Sequence, residues 1–429
     1  MDRSDERSEK RRAMRIAGAA RLDARRQFLR FMLQSPLITS GAALASIWPS
    51  TGLSRPELAI PETARQALDI FQIKAAARSK LDLKAWHFIA NGADDGKTMA
   101  ENRRIFDDWQ IRVRRLVDMR NVDMSVDVLG ESLRSPIILA PVGNQQLVHE
   151  TGEIGTVRGA GRHLMICSTV SSFSIGEIAA QATGPLWFQL YMSKHRPFVR
   201  TLLANAEQAG CRVVVLTIDG PTIGNREAER WFRSADGDRK MSDQEKSNQK
   251  KSGQGKPMRM GNFDNYEGKK NIGDPSMTWE IVDWLRANTD MKIVLKGIVT
   301  REDARLCRES GVDGIIVSNH GGRQEESNRA TLDCLPEVID GVDDEMPVLI
   351  DGGFRRGTDI FKALGLGARA VCIGRPQVWG LGAFGEQGVR RVLSILRAEL
   401  VRIMKFAGTR TIAEIGSDSL LRKQYTGSE

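Results

Sequence analysis

The stretch Ser318-Asn319-His320-Gly321-Gly322-Arg323-Gln324 places one imidazole three residues from a guanidinium, directly after the apolar run Gly314-Ile315-Ile316-Val317. Imidazole has an unperturbed pKa near neutrality, so it can accept and release a proton at working pH. Further along, Asp351-Gly352-Gly353-Phe354-Arg355-Arg356-Gly357 and Gly374-Arg375-Pro376 each follow an apolar run. Glycines there let backbone N–H groups approach an anion, a helix start adds a favourable dipole, and Arg355 or Arg375 can add a forked contact. Proton transfer beside a bound phosphate is the chemistry these types can perform, provided the fold brings them together.

The elements that would do so are legible from Pro136 onward. Eight short β-branched or apolar runs alternate with segments of helical period: Pro136 to Ala140, Leu164 to Ser168, Leu186 to Tyr191, Val213 to Ile218, Ile293 to Lys296, Gly314 to Ser318, Val348 to Asp351 and Ala370 to Ile373. The clearest helices are expected over Glu153 to Arg162, Arg196 to Ala209, Arg301 to Ser310 and Thr358 to Leu366. Continuously apolar strands separated by helices imply a parallel sheet covered by helices, and eight repeats imply closure into a (β/α)₈ TIM barrel rather than an open doubly wound sheet.

Reading the carboxyl ends of the strands in order gives Pro141, Ser168, Gln189 with Tyr191, Thr217 with Asp219, Lys296, Ser318 with His320, Asp351, and Gly374 with Arg375. In a barrel all of these converge on the face where active sites of this architecture lie. Any one alone is accounted for as a strand terminator satisfied by backbone; the run of eight is harder to dismiss. Lys296 has a bland role as the partner of a neighbouring carboxylate. Against a flavin ring it would instead stabilise the negative charge that builds at the pyrimidine side on two-electron reduction. Gln189, Ser168 and Thr217 offer the neutral donors and acceptors a flavin amide edge requires. No GxGxxG follows an early strand, so a nicotinamide-type Rossmann site is not supported.

Between the fourth and fifth strands the spacing breaks. An insertion at about 227–277 is mostly Lys, Ser, Asp, Gly, Asn and Gln, and reads as a mobile loop over the active face, a lid or a plain surface loop. Much of the net charge of +9 lies there and in the first thirty residues. Neither segment has interleaved aromatics or a nucleic-acid-binding pattern, so no nucleic-acid partner is expected. The five cysteines form no CxxC pair and read as small core residues, with neither a metal site nor a disulfide framework.

Residues 1–60 read as a basic, signal-like segment and linker preceding a barrel domain at 61–429. Arg25-Arg26-Gln27-Phe28-Leu29 resembles the twin-arginine export motif, and Ala43-Leu44-Ala45 supplies the small residues of a cleavage site. Periplasmic export is the expectation; a cytoplasmic or membrane-associated chain is the alternative.

Taken together, SNHGGRQ, LIDGGFRRG at 349–357, IGRP at 373–376, FQLY at 188–191 and TIDGPTIGNRE at 217–227 resemble the FMN-dependent α-hydroxy acid oxidases and dehydrogenases, over roughly residues 65–420. The resemblance implies FMN as cofactor, a small L-2-hydroxy acid as substrate, a homotetramer, and oxygen, quinone or a cytochrome as electron acceptor. By the same similarity His320 is the base, Asp219 holds its imidazole, Tyr191 bonds near the substrate hydroxyl, and Arg226 and Arg323 bind the carboxylate. Lys296 is carried over to the flavin N1 and O2 edge, Pro141, Val142 and Gly143 to the N5 side, and Gly352, Gly353, Arg355, Gly374 and Arg375 to the phosphate.

Two positions depart from the family pattern. Phe88 stands where most relatives have a tyrosine whose hydroxyl reaches the substrate carboxylate, a loss worth about 1–2 kcal/mol in substrate binding. Val170 stands where glycolate oxidase carries a tryptophan. Both favour a longer or apolar 2-hydroxy acid over glycolate. The competing readings are a flavin-barrel isomerase, which would not need both Arg226 and Arg323, and a flavin-binding barrel impaired in turnover.

Overall fold

The apolar runs fold into parallel strands: β4 (Ile137–Leu139), β5 (Met165–Ser168), β6 (Leu186–Leu190), β7 (Val213–Thr217), β8 (Lys292–Ile298), β9 (Gly314–Val317), β10 (Val348–Ile350) and β11 (Ala370–Ile373). They pair in chain order, and β11 returns to β4, so the sheet closes as an eight-stranded barrel. Outside it lie β1 (Trp109–Ile111) paired antiparallel with β12 (Leu420–Arg422), and the hairpin β2 (Val126–Val128) and β3 (Glu131–Leu133). The computed structural model describes residues 59–231, 259–264, 266–269 and 272–423. The chain divides between Ala59 and Ile60, and every element here belongs to the second unit. The Arg25-Arg26 motif, the Ala43-Leu44-Ala45 segment and the middle of the insertion lie outside the described residues.

Successive strand residues face opposite sides, which sorts the apolar side chains into two sets. Ile138, Ile166, Trp187, Val215, Val294, Ile316, Leu349 and Cys372 pack together inside the barrel, and Val126, Val128 and Leu133 of the hairpin join them. The hairpin therefore plugs the amino-terminal foot, and Lys292 at the start of β8 donates to the Leu129 carbonyl at its turn (3.0 Å). The alternate residues face outward into the helical layer: Leu139, Phe188, Leu216, Leu295 and Val317 belong to the larger core with the helices.

The described helices are α1 (Ile70–Lys80), α2 (Leu83–Ala90), α3 (Lys97–Arg104), α4 (Gly152–Ala160), α5 (Ile175–Ala179), α6 (Arg196–Gln208), α7 (Glu280–Arg286), α8 (Arg301–Glu309), α9 (Thr331–Val342), α10 (Gly357–Gly365) and α11 (Arg375–Ala407), with a short helical stretch at 227–231. Side chains start several of them: Thr300 accepts from the Asp303 N–H before α8, and Ser174 forms a capping box with Glu177 at α5. The last helix is broken at Phe384 and Gly385, where the backbone leaves the helical region.

Strand ends differ from expectation by a residue or so. Tyr191, Ile218, Ser318 and Asp351 fall just beyond their strands, while β8 runs longer than Ile293 to Lys296. The insertion differs more. Its returning arm is built into the barrel, not laid loosely over it. Asn262 is buried and donates to Ser168 O, Thr169 O and Ser171 Oγ, each at 3.1 Å, while its Oδ1 accepts from the Ile175 N–H. Phe263 packs edge-on against Phe198 at 4.9 Å. One apolar ring and one amide that meets all its partners anchor a segment whose composition is otherwise polar.

Candidate active site

His320 sits just past β9 with φ +57, a left-handed backbone conformation that costs a non-glycine residue energy and is held here by its bonds. Its N–H donates to Ser318 Oγ at 3.0 Å, and Nδ1 lies 2.8 Å from Asp219 Oδ1. A carboxylate accepts, so Nδ1 carries the proton and Nε2 is left bare. Tyr191 Oη faces Nε2 at 3.5 Å. Burial, then the Lys296 and Arg226 charges, lower the His320 pKa against the pull of Asp219, which keeps the imidazole neutral and able to accept a proton.

Lys296 is 3% exposed inside the barrel mouth. Its Nζ donates to Ser318 Oγ at 2.9 Å and lies 3.6 Å from Asp219 Oδ2 and 3.5 Å from Asp351 Oδ2. Burial alone would strip its proton, but the two carboxylates outweigh that and raise its pKa. Asp219 answers in kind: burial pushes it up, yet the His320 and Lys296 charges hold it at about 2. The expected bland role of Lys296, an ion pair, is thus real, and it coexists with a position on the hollow. Gly297 makes the cluster possible. It has φ +118 at an irregularity in the β8–β9 pairing, and a Cβ there would come within 2.8 Å of Asp219.

Arg226 and Arg323 approach the same hollow from two loops. Arg226 donates to Gln324 Oε1 (2.7 Å) and to Arg323 O (3.1 Å). Arg323 donates to Glu229 Oε1 (2.7 Å) and Asn91 O (3.1 Å), and its guanidinium lies 5.4 Å from the Phe88 ring centre. The glycine loops line the same hollow. Arg355 stacks over Trp379 at 4.6 Å, and burial and Arg103 pull its pKa down to about 10. Arg375 donates to the carbonyls of Ile89, Gly321 and Asn91.

One hollow is lined by Phe88, Pro141, Val142, Gly143, Ser168, Val170, Tyr191, Arg226, Lys296, His320, Arg323, Asp351, Gly352, Gly353, Arg355, Gly374 and Arg375. Four other expected residues stand behind this wall. Asp219 and Ser318 hold His320 and Lys296, while Gln189 bridges Ser168 Oγ (3.1 Å) and Thr217 Oγ1 (3.0 Å). Residue type alone did not point to Asn144 on the hollow, to Glu229 and Gln324 behind the two arginines, or to the buried pair Asn102 and Asn319, whose amides bond to each other while Asn319 holds the Gly322 N–H and the Arg329 carbonyl after β9. The signal for Glu229 was present, three residues after Arg226 on a short helical stretch. For Asn102, 217 residues from its partner, there was none. Among the described residues no cluster of His, Cys, Asp or Glu could hold a metal ion, and all five cysteines are buried and unpaired.

A closed parallel barrel whose mouth gathers a carboxylate-held imidazole, two guanidinium groups and a buried ammonium has the groups to bind a small anion and exchange a proton with it. Comparison with known proteins narrows the class. Residues 77–422 match the FMN-dependent dehydrogenase family. The chain is 40% identical over 358 residues, 82% of its length and 95% of the other's, to a peroxisomal (S)-2-hydroxyacid oxidase of Arabidopsis thaliana. It is 38% identical over 362 residues to the glycolate oxidase of Spinacia oleracea, covering 81% of this chain and 94% of that one. A soluble mutant of the membrane-associated (S)-mandelate dehydrogenase from Pseudomonas putida superposes with a TM-score of 0.76 at 31% identity, covering 83% of this chain and all of that one. The chain belongs to the FMN-dependent dehydrogenase family, and is an α-hydroxy acid oxidase or dehydrogenase.

Proposed function

We propose that this chain oxidises an L-2-hydroxy acid with a long or apolar side chain, using FMN bound in the barrel mouth. The observation that carries the reading is the His320–Asp219 pair, 2.8 Å apart, opening onto the hollow that Lys296, Arg226 and Arg323 also line. FMN, when bound, supplies the two-electron acceptor. The residues present fit it. Arg355 and Arg375 make no ion pair with a carboxylate among the described residues, and a phosphate is the counter-charge such forks select. A Cβ built on Gly374 meets nothing closer than Ala140 at 3.9 Å, so the glycine leaves room beside them. Gly352 and Gly353 would complete the phosphate loop, Lys296 would serve the pyrimidine edge, Ser168 its amide groups with Gln189 and Thr217 supporting it from behind, and Pro141, Val142 and Gly143 the ring wall.

Within that frame Arg226 and Arg323 hold the substrate carboxylate, Tyr191 orients the substrate oxygen, and His320 Nε2 takes the proton. The imidazolium that results is stabilised by Asp219, already charged at any pH above about 2. Phe88 and Val170 give the substrate side chain an apolar surface, with the Phe88 ring against Arg323. The flavin-loaded enzyme mixed anaerobically with glycolate, lactate, mandelate and 2-hydroxyoctanoate is expected to bleach fastest with one of the last two; fastest bleaching by glycolate would reject the substrate assignment. The reading extends to periplasmic export, supported by the Arg25-Arg26 motif, which favours a quinone or cytochrome acceptor, and to a homotetramer, supported by family resemblance.

A further inference from the structure

A second cationic hollow, of about 570 Å³, lies on the amino-terminal side of the barrel. It sits between the end of α4 and the second half of α11, with Arg134 of the β3–β4 connection at its edge. Arg134, Arg162 and Arg390 are exposed around it, while Arg397 and His163 reach further in. Met124, Leu393 and Val401 give it an apolar floor. No lining residue is acidic. Arg390 is paired with Glu386, but Arg134, Arg162 and Arg397 make no ion pair among the described residues.

Two of these side chains bury a polar atom that has no partner among the described residues, Arg397 Nε and His163 Nε2. Leaving such atoms unmet is costly, and each asks for an explanation. His163 is 8% exposed, and its Nδ1 lies 2.9 Å from the Ala160 carbonyl. A carbonyl only accepts, so Nδ1–H donates and Nε2 presents a lone pair. Burial, assisted by the Arg397 and Arg134 charges, pulls the His163 pKa down to about 4, so at neutral pH this nitrogen can accept but not donate.

We propose that this hollow binds a small phosphate monoester that also carries a free hydroxyl. Three guanidinium groups without counter-charge select a dianion over a single carboxylate, and Arg397 Nε gains its acceptor from a phosphate oxygen. His163 Nε2 requires a donor, which the ester's hydroxyl supplies, and the apolar floor takes its carbon skeleton. The cofactor-type glycine loops lie at the other end of the strands, so the two sites are separate.

Calorimetric titration of the flavin-loaded full chain with sn-glycerol 3-phosphate tests this. One site is expected, with a dissociation constant below about 1 mM and at least about tenfold tighter than for inorganic phosphate. Arg397→Gln and His163→Phe should each weaken it about tenfold, while Arg402→Gln, an exposed charge on the same helix, should leave it unchanged. Turnover of a 2-hydroxy acid and the melting temperature check that these variants fold. If Arg397→Gln does not fold, the exposed Arg134→Gln, expected to weaken binding about threefold, replaces it. Displacement of the ester by vesicles bearing lysophosphatidate would assign the head group to a lipid, and no displacement to a soluble ester; either keeps the site. No binding, equal affinity for inorganic phosphate, showing an adventitious ion only, or affinity unmoved by these variants would overturn it.

Discussion

At the barrel mouth β8 presents Lys296, within 3.6 Å of Asp219 and 3.5 Å of Asp351, and the loop after β9 presents His320 against Asp219. Two residues lower, the same β8 contributes Val294, which packs with Ile316, Trp187 and the hairpin residues Val126, Val128 and Leu133. One strand thus serves two environments that share a backbone and differ only in which layer a side chain enters. Below, burial is satisfied by apolar contact. Above, it is satisfied by opposing charges that keep each other ionised. Stability should therefore be concentrated at the foot and chemistry at the mouth.

Substitutions at the two ends should separate these properties. The largest effect is expected at the mouth: His320→Gln should lower kcat/KM by about 10²–10⁴-fold while flavin content and melting temperature hold. At the foot, Trp187→Ala removes a fully buried ring and should destabilise the fold by about 3–5 kcal/mol in urea unfolding, with the chemistry of the folded fraction intact. Asp219→Asn deletes a charged hydrogen bond to the base, worth about 1.5–3 kcal/mol of transition-state stabilisation. It also has a signature in pH. The neutral imidazole is the active form, so kcat/KM falls as pH drops through the His320 pKa, which lies below 6.5. Removing the carboxylate that raises that pKa moves the acid limb lower still, while the plateau falls. The smallest effect is at the rim of the mouth, where Phe88→Tyr should restore a hydroxyl near Arg323 and improve KM for small hydroxy acids by about 5–30-fold, or 1–2 kcal/mol.

The strands and the mouth residues were legible for a common reason. A strand buried on both faces is a continuous apolar run, and the first polar residue after it marks the mouth, so Ser168, Lys296, Ser318 and Asp351 follow from counting along the chain, with His320 two residues beyond Ser318. Less visible were groups whose partners are remote. The foot hairpin consists of two three-residue strands with no long apolar run, and its role depends on burial inside a barrel formed later in the chain. Glu229 on Arg323, and Asn102 on Asn319, are contacts across 94 and 217 residues. Arg375 lines the hollow, but its three bonds to carbonyls at 89, 91 and 321 follow from loop geometry, not from residue type. The returning arm of the insertion escaped notice because one Asn and one Phe anchor an otherwise polar stretch.

The account rests on His320, Arg226, Arg323 and Lys296 serving one bound flavin and one bound acid. A crystal structure of the flavin-loaded chain soaked with the 2-oxo acid product tests it most directly. The account predicts the carboxylate on Arg226 and Arg323, the 2-oxygen within hydrogen-bond reach of His320 Nε2 or Tyr191 Oη, and Lys296 Nζ against the pyrimidine edge. An acid bound away from both arginines, or a flavin ring out of reach of Lys296, would contradict it.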